Sequence, residues 1–262
     1  RDIKIKMLEM IMLSNLRVEE YKNNKDKYQM NDLIGRAGIQ YTLEEYLKGK
    51  DGIRQIDMAV DGTITEEYIS KEATAGNNVT LTIDANLQKK VEEALEKNIK
   101  KIASGEIDGK KHNTKEGAAI VMNVKTGDVL AMASYPSYEP ELFAKGISSS
   151  KLKEYEKDSN TYNRAISSAY APVSTFKMAV ATAALETGTF TTSTLVTDNG
   201  PYPRGHHPVC WIYTDHHYGH GALNISNAIK HSCNIFFYEI GYKIGIDKIA
   251  EYAYQYGLGK KT

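Results

Sequence analysis

Ser174-Thr175-Phe176-Lys177, followed downstream by Ser232-Cys233-Asn234, constrains this chain more than any other feature of its sequence. A serine hydroxyl near neutral pH is a weak nucleophile, so it needs a base beside it and donors for the oxyanion it creates. Serine and lysine three positions apart lie on one face of a helix, which brings the amine within reach of the hydroxyl. Ala171-Pro172 before the motif and the run Met178–Glu186 after it predict a helix that begins close to Ser174. A helix N-terminus placed there favours developing negative charge.

Length and charge narrow the function classes. The 262 residues allow one or two domains with a real core. Lys+Arg and Asp+Glu balance at 33 each, so no net field draws the chain to nucleic acid, and no nucleic-acid partner is expected. No apolar stretch reaches the roughly 18 residues that cross a bilayer. Met7–Leu13 is short and broken by Glu9. A chain that opens on Arg1 with no signal peptide reads as an excerpt. Two cysteines, Cys210 and Cys233, are too few for a disulfide framework.

Two domains are expected, 1–78 and 79–262. In the first, helical patterns cover 5–22 and 39–48. An alternating Gln55–Val60, a turn at Asp61-Gly62 and Glu67–Ser70 predict a hairpin, and 75–78 reads as a linker. The second opens on Val79–Ile83, a β-branched strand. Asp84 then caps a helix over 85–102, whose Leu87, Val91, Leu95 and Ile99 share one apolar face. Two apolar strands, Ala118–Val124 and Asp128–Ser134, flank Lys125-Thr126-Gly127, which reads as a hairpin turn.

These motifs together resemble the class B penicillin-binding proteins, D,D-transpeptidases of bacterial wall synthesis; Ser-x-x-Lys with Ser-x-Asn is a signature of that group and related β-lactamases. Val79–Asp84 with Leu87-Gln88 resembles the start of the transpeptidase domain. Thr126–Pro136 resembles its first hairpin, and Asn163–Ile166 the approach to the serine helix. Gly35–Ile39, Tyr46–Gly49 and Asp51-Gly52 resemble the non-catalytic pedestal. The resemblance implies an α+β fold: an elongated pedestal followed by a β-lactamase-like transpeptidase domain with helices around an antiparallel sheet.

It also implies the chemistry. Ser174 would attack the penultimate D-Ala carbonyl of a peptidoglycan stem peptide, with Lys177 as base. Ser232 would relay a proton, Asn234 would hold the substrate amide, and the backbone N–H of Ser174 would supply half an oxyanion hole. β-Lactams would acylate the same serine. The implied partner is a membrane glycan polymerase of the SEDS type, and the implied place is the extracytoplasmic face of the bacterial membrane, with an anchor outside this sequence. No cofactor is required for the chemistry.

Three departures stand out. Val173 occupies a position where the family usually has glycine, and a β-branched residue restricts the backbone there. Ser168 likewise replaces a common glycine. The sequence stops at Gly257–Thr262, before the family's own Lys-Thr-Gly strand, so the active site is expected to be incomplete within this chain. Lys125-Thr126-Gly127 has that spelling but precedes Ser174, and it takes no catalytic role. Rival readings are a β-lactam sensor or serine β-lactamase, and a catalytically silent scaffold of the wall machinery.

Five of the seven histidines fall between 206 and 220. Cysteine, histidine and aspartate are zinc ligands. Cys210 and His220 could close a loop, and Asp215 with His216 or His217 could complete four ligands. His217 is favoured, because its spacing from Asp215 points both one way on an extended segment. Two readings stand: a polar surface loop, and a structural zinc held by Cys210, Asp215, His217 and His220. Cys233 reads as a small packed side chain, and His231 as a helix C-terminal residue.

Overall fold

The computed structural model describes residues 13–15, 27–29, 32–35 and 37–260. The chain divides into two compact units, 1–168 and 169–262. That division falls inside the expected second domain rather than at residue 78.

In the first unit, β1 (Leu13–Asn15) pairs antiparallel with β2 (Leu33–Gly35). The helix expected over 5–22 lies outside the described residues except at 13–15, where a ladder to β2 takes the place of helical bonding. The helix expected over 39–48 is two short ones, α1 (Gly38–Thr42) and α2 (Glu44–Leu47). Leu43, at φ −109° and ψ 19°, separates them. The hairpin forms as expected from β3 (Ile53–Met58) and β4 (Ile64–Lys71). Gly62 takes φ +86° at its tip, and Asp61 Oδ1 accepts the Thr63 N–H at 3.0 Å.

Val79–Ile83 is not a strand. The segment is tied to its neighbour by Thr82 Oγ1 to the Val129 carbonyl at 2.7 Å and by the Asp84 N–H to the Leu130 carbonyl at 2.9 Å. β-Branched residues extend the backbone, but a ladder also needs successive paired groups, and these are not formed. Asp84 does cap α3 (Ala85–Ser104), its Oδ1 accepting from the N–H groups of Asn86 and Leu87 at 2.9 and 2.8 Å. A left-handed Gly105 ends that helix. β5 (Gly117–Met122) and β6 (Val129–Tyr135) pair antiparallel. Lys125-Thr126-Gly127 is their turn, closed by the Gly127 N–H on the Asn123 carbonyl at 2.8 Å. Buried Gln88 bonds both backbone groups of Met132, at 2.9 and 2.8 Å, and so joins α3 to β6. Three short helices follow: α4 (Pro140–Lys145), α5 (Ser149–Lys157) and α6 (Arg164–Ser167).

The second unit begins with a 3-10 turn, Val173–Phe176, that runs into α7 (Lys177–Glu186). Then come β7 (Val196–Asp198), α8 (Trp211–His216), β8 (Gly221–Leu223), α9 (Ile225–Lys230) and α10 (Asn234–Gln255). β7 pairs antiparallel with β8. α7 is lined by Ala179, Val180, Ala181, Ala183 and Ala184, all buried, and small residues of this kind allow α10 to approach closely. The core between them is filled by Phe190, Phe236 and Ile240. Burying each such side chain contributes about 1.5–3 kcal/mol. The chain is α+β, as expected, but its described strands form four separate antiparallel pairs rather than one sheet.

Candidate active site

The helix start predicted at Ser174 is where the 3-10 turn hands over to α7. Lys177 is the first residue of α7, one turn beyond the serine, and its stem packs with the amine 5.4 Å from the buried Phe237 ring. The second motif comes from the link between α9 and α10. α9 ends at His231, its C-cap residue, as read from the sequence. Ser232 then takes the left-handed conformation at φ +51°. Trp211 Nε1–H donates to the His231 carbonyl at 3.0 Å and pins this bend from outside.

All four sequence-predicted residues converge. Ser232 Oγ lies 3.0 Å from Ser174 Oγ and 3.0 Å from Lys177 Nζ. The amine also donates to the Ser232 carbonyl at 2.8 Å and to Asn234 Oδ1 at 2.7 Å. Lysine and nucleophile are thus joined through Ser232, a longer path than the helical spacing alone suggests. Burial pushes the Lys177 amine below its ordinary value, against a weaker opposing influence of Cys210 and Cys233. The carbonyl and Oδ1 are acceptors only. The amine donates to all three groups; of these only the Ser232 hydroxyl can also donate, so it is the group that would return a proton to a deprotonated amine. Ser174 itself is exposed, while Lys177 and Asn234 are half-buried.

Directly behind this site lies a second constellation. Ligand atoms of Asp198, Cys210, His220 and Cys233 all fall within 4.8 Å of one another. His220 Nδ1 stands 2.8 Å from Asp198 Oδ2 and 3.6 Å from Cys210 Sγ. Cys233 Sγ stands 3.3 Å from Asp198 Oδ2. Burial raises the Asp198 carboxyl, but bonds from His220, the Gly200 N–H and Cys233 outweigh it and hold the group low. Burial pushes the Cys233 thiol up to about 12. His220 Nε2 is buried without a hydrogen-bond partner.

A buried carboxylate beside two buried sulfurs is costly to assemble without a cation to neutralise it. Two thiolates, one imidazole and one carboxylate at these separations fit tetrahedral zinc.

This group corrects the expected ligand set. Cys210 and His220 are in it, whereas Asp215 and His217 are exposed and outside it. The expectation assumed an extended segment, but Trp211–His216 is helical, and His217 turns left-handed at φ +61° with its ring against Tyr213. Asp198 was missed because it lies upstream, at the end of β7, and reaches His220 through pairing with β8. Cys233, which the sequence suggests as a small packed side chain, is also in the group; being the other cysteine of the chain is the signal that could have recruited it.

Residues 117–262 match the penicillin binding protein transpeptidase domain family, and residues 11–81 match the penicillin-binding protein dimerisation domain family. The chain is similar to the peptidoglycan D,D-transpeptidase MrdA of Escherichia coli K12, at 33% identity over 93% of this chain and 36% of that protein. It is 31% identical to MrdA of Acinetobacter baumannii, over 91% of this chain and 33% of that protein. The chain therefore spans about a third of the length of these curated relatives.

Among solved structures, it resembles a chain from a peptidoglycan synthase complex described as coordinating polymerization and crosslinking. That likeness has a TM-score of 0.82 and 33% identity, over 95% of this chain and 43% of that one. Pseudomonas aeruginosa PBP2 in complex with WCK 5153 gives a TM-score of 0.77 and 30% identity, over 99% of this chain and 50% of that one. Helicobacter pylori PBP2, solved with MreC, gives 0.76 and 25%, over 95% and 43%.

Proposed function

The chain belongs to the class B penicillin-binding proteins, and from that premise we propose that it forms the serine acyl-transfer site of a peptidoglycan D,D-transpeptidase. The observation that carries this reading is the continuous path Ser174 Oγ, Ser232 Oγ, Lys177 Nζ, with 3.0 Å at each step. Ser174 attacks the penultimate D-Ala carbonyl of a stem peptide, and its proton passes through Ser232 to the neutral Lys177 amine. Collapse of the tetrahedral intermediate breaks the bond to the terminal D-Ala, whose nitrogen takes the proton. An amine from a neighbouring stem then attacks the ester, forming the cross-link and returning a proton to Ser174. Asn234 holds the amine with Oδ1 and leaves its NH2 for the substrate amide.

A fluorescent penicillin tests this on the full-length protein. Labelling that Ser174→Ala abolishes is the expected result; labelling that survives the substitution overturns the assignment. Persistence of the label for many minutes separates a transpeptidase from a β-lactamase, which would release it by hydrolysis.

The same reading extends to partners and place. A SEDS-type glycan polymerase is the proposed partner, supported by the likeness to a chain from a peptidoglycan synthase complex. The proposed location is the extracytoplasmic face of the bacterial membrane, where stem peptides are cross-linked. Among the described residues no helix is long and apolar enough to cross a membrane. A zinc ion is proposed on Asp198, Cys210, His220 and Cys233. When bound, a fully protein-ligated zinc of this kind supplies structural tethering and leaves no position open for chemistry. Metal analysis of the purified protein with Cys210→Ala as control tests it: about one zinc per chain, lost in the variant, supports the site, and none in either removes it.

A further inference from the structure

The link that carries Ser232 closes α9 in an unusual way. The Ser232 N–H donates to the Ile229 carbonyl at 3.0 Å and the Cys233 N–H to the Ala228 carbonyl at 2.9 Å, a complete Schellman closure beyond the cap residue His231. The first residue after the cap must then turn left-handed, and glycine is the usual occupant because it has no Cβ. Here it is Ser232, at φ +51°. A residue with a side chain stays in that region where its surroundings over-determine it.

Two side chains do this, one on each flanking peptide. The Ser232 carbonyl accepts from Lys177 Nζ at 2.8 Å. The His231 carbonyl, which the end of α9 leaves without an intrahelical partner, accepts from Trp211 Nε1–H at 3.0 Å. That indole N–H is the single donor of a tryptophan side chain. Its aim is set by the ring, which meets His220 edge-on with centroids 5.6 Å apart and planes at 68°. The φ of Ser232 is the angle between the peptide that precedes it and the rest of the residue, so a peptide fixed by Trp211 fixes the direction of Oγ. Ser232 Oγ bridges Ser174 Oγ and Lys177 Nζ with 3.0 Å at each step, and a swing toward ordinary negative φ would open both.

We propose that Trp211 is a positioning residue for acylation: its indole N–H, bonded to the His231 carbonyl, holds Ser232 in the left-handed conformation that keeps Oγ between Ser174 and Lys177. The proposal rests on the acyl-transfer reading above, in which Ser232 passes the proton.

The test is a double-mutant cycle in the full-length protein, read as second-order acylation rates with a chromogenic β-lactam and, for slow variants, by intact mass over hours. Trp211→Phe keeps an aromatic ring and removes the donor. It is expected to slow acylation about tenfold when Ser232 is present. In the Ser232→Ala background, where no hydroxyl remains to be placed, the same change is expected to cost less than about twofold. Trp211→benzothienylalanine puts sulfur in place of the N–H at nearly unchanged shape. It is expected to reproduce the loss, and it carries the cycle should the phenylalanine variant melt early. Zinc content is expected to match wild type in both. A wild-type rate in the benzothienylalanine variant, or an equal loss in both backgrounds, overturns the positioning role. So does zinc loss in step with the rate, which would route the effect through His220. If wild-type protein is never acylated, although thermal melts show it folded, the acyl-transfer reading falls and this role falls with it.

Discussion

The backbone N–H of Asn234 donates to Cys210 Sγ at 3.2 Å, while the side-chain oxygen of the same asparagine accepts from Lys177 Nζ at 2.7 Å. One residue therefore belongs to both constellations. Its neighbour Cys233 is extended, at φ −66° and ψ 118°, and successive side chains along extended backbone point to opposite sides. Ser232 and Asn234 accordingly face the nucleophile, while Cys233 faces inward to Asp198. Whatever fixes Cys210 and Cys233 also fixes the two residues that organise Lys177.

Ser232→Ala removes the hydroxyl that joins Ser174 to Lys177 but leaves the amine its bonds to the residue 232 carbonyl and Asn234. Acylation by a chromogenic β-lactam should fall by roughly 10²–10⁴, the usual range for a lost proton-transfer group. Stopped-flow rates measure it, and a circular dichroism melt checks the fold. A rate within about threefold of wild type would show that lysine serves the serine by another route.

Protonation of Lys177 sets the pH dependence. Burial lowers the amine from its ordinary 10.5, and the neutral form is the base. The acylation rate should therefore rise with pH through the lowered value and level off before 10.5 is reached. Lys177→Arg replaces the base with a guanidinium that stays charged, and should lose roughly 10²–10⁴ in rate with no recovery at high pH. The same shift makes the unfolded chain bind more protons than the folded one between the two values, so this residue's contribution to stability rises with pH across that window. An inflection at the ordinary lysine value would refute the assignment.

How much of this was legible from residues alone follows from the range of each signal. Asp84 as a cap, the α3 face, the Asp61-Gly62 turn and the Lys-Thr-Gly turn depend on neighbours a few positions apart, and all are present. The four reactive residues were legible because their motifs encode chemistry. What escaped depended on distant pairing: Asp198 joins His220 only because β7 lies against β8, and Val79–Ile83 is left without a ladder. Residues 211–216 escaped differently. A run of polar and aromatic residues carries no clear period, so an extended reading placed Asp215 and His217 toward a ligand they do not face.

Metal content discriminates between the two ligand sets. Asp198→Asn and Cys233→Ser should each reduce bound zinc well below one per chain, while Asp215→Ala and His217→Ala should leave it unchanged. Chelation should lower the melting temperature of the wild type. A ligand at about 100 times its dissociation constant stabilises by about 2.7 kcal/mol. Loss of zinc in the Asp215 or His217 variants, with retention in Asp198→Asn, would restore the set expected from sequence.

Two glycines near the group separate crowding from backbone strain. A Cβ on Gly219 would stand 2.1 Å from the Asp198 carbonyl oxygen and 2.7 Å from Asp198 Oδ1, so an alanine there must displace the strand that carries Asp198. Gly221 is different, since it takes φ +74° with open space around it and an alanine meets only the left-handed backbone cost. Gly221→Ala should destabilise by about 1 kcal/mol. Gly219→Ala should lose more, about 1–3 kcal/mol from overpacking, and should also reduce zinc content because Asp198 moves. Urea titrations and metal analysis of the two variants measure both effects. Equal destabilisation with zinc retained in Gly219→Ala would show that β7 yields without disturbing the carboxylate.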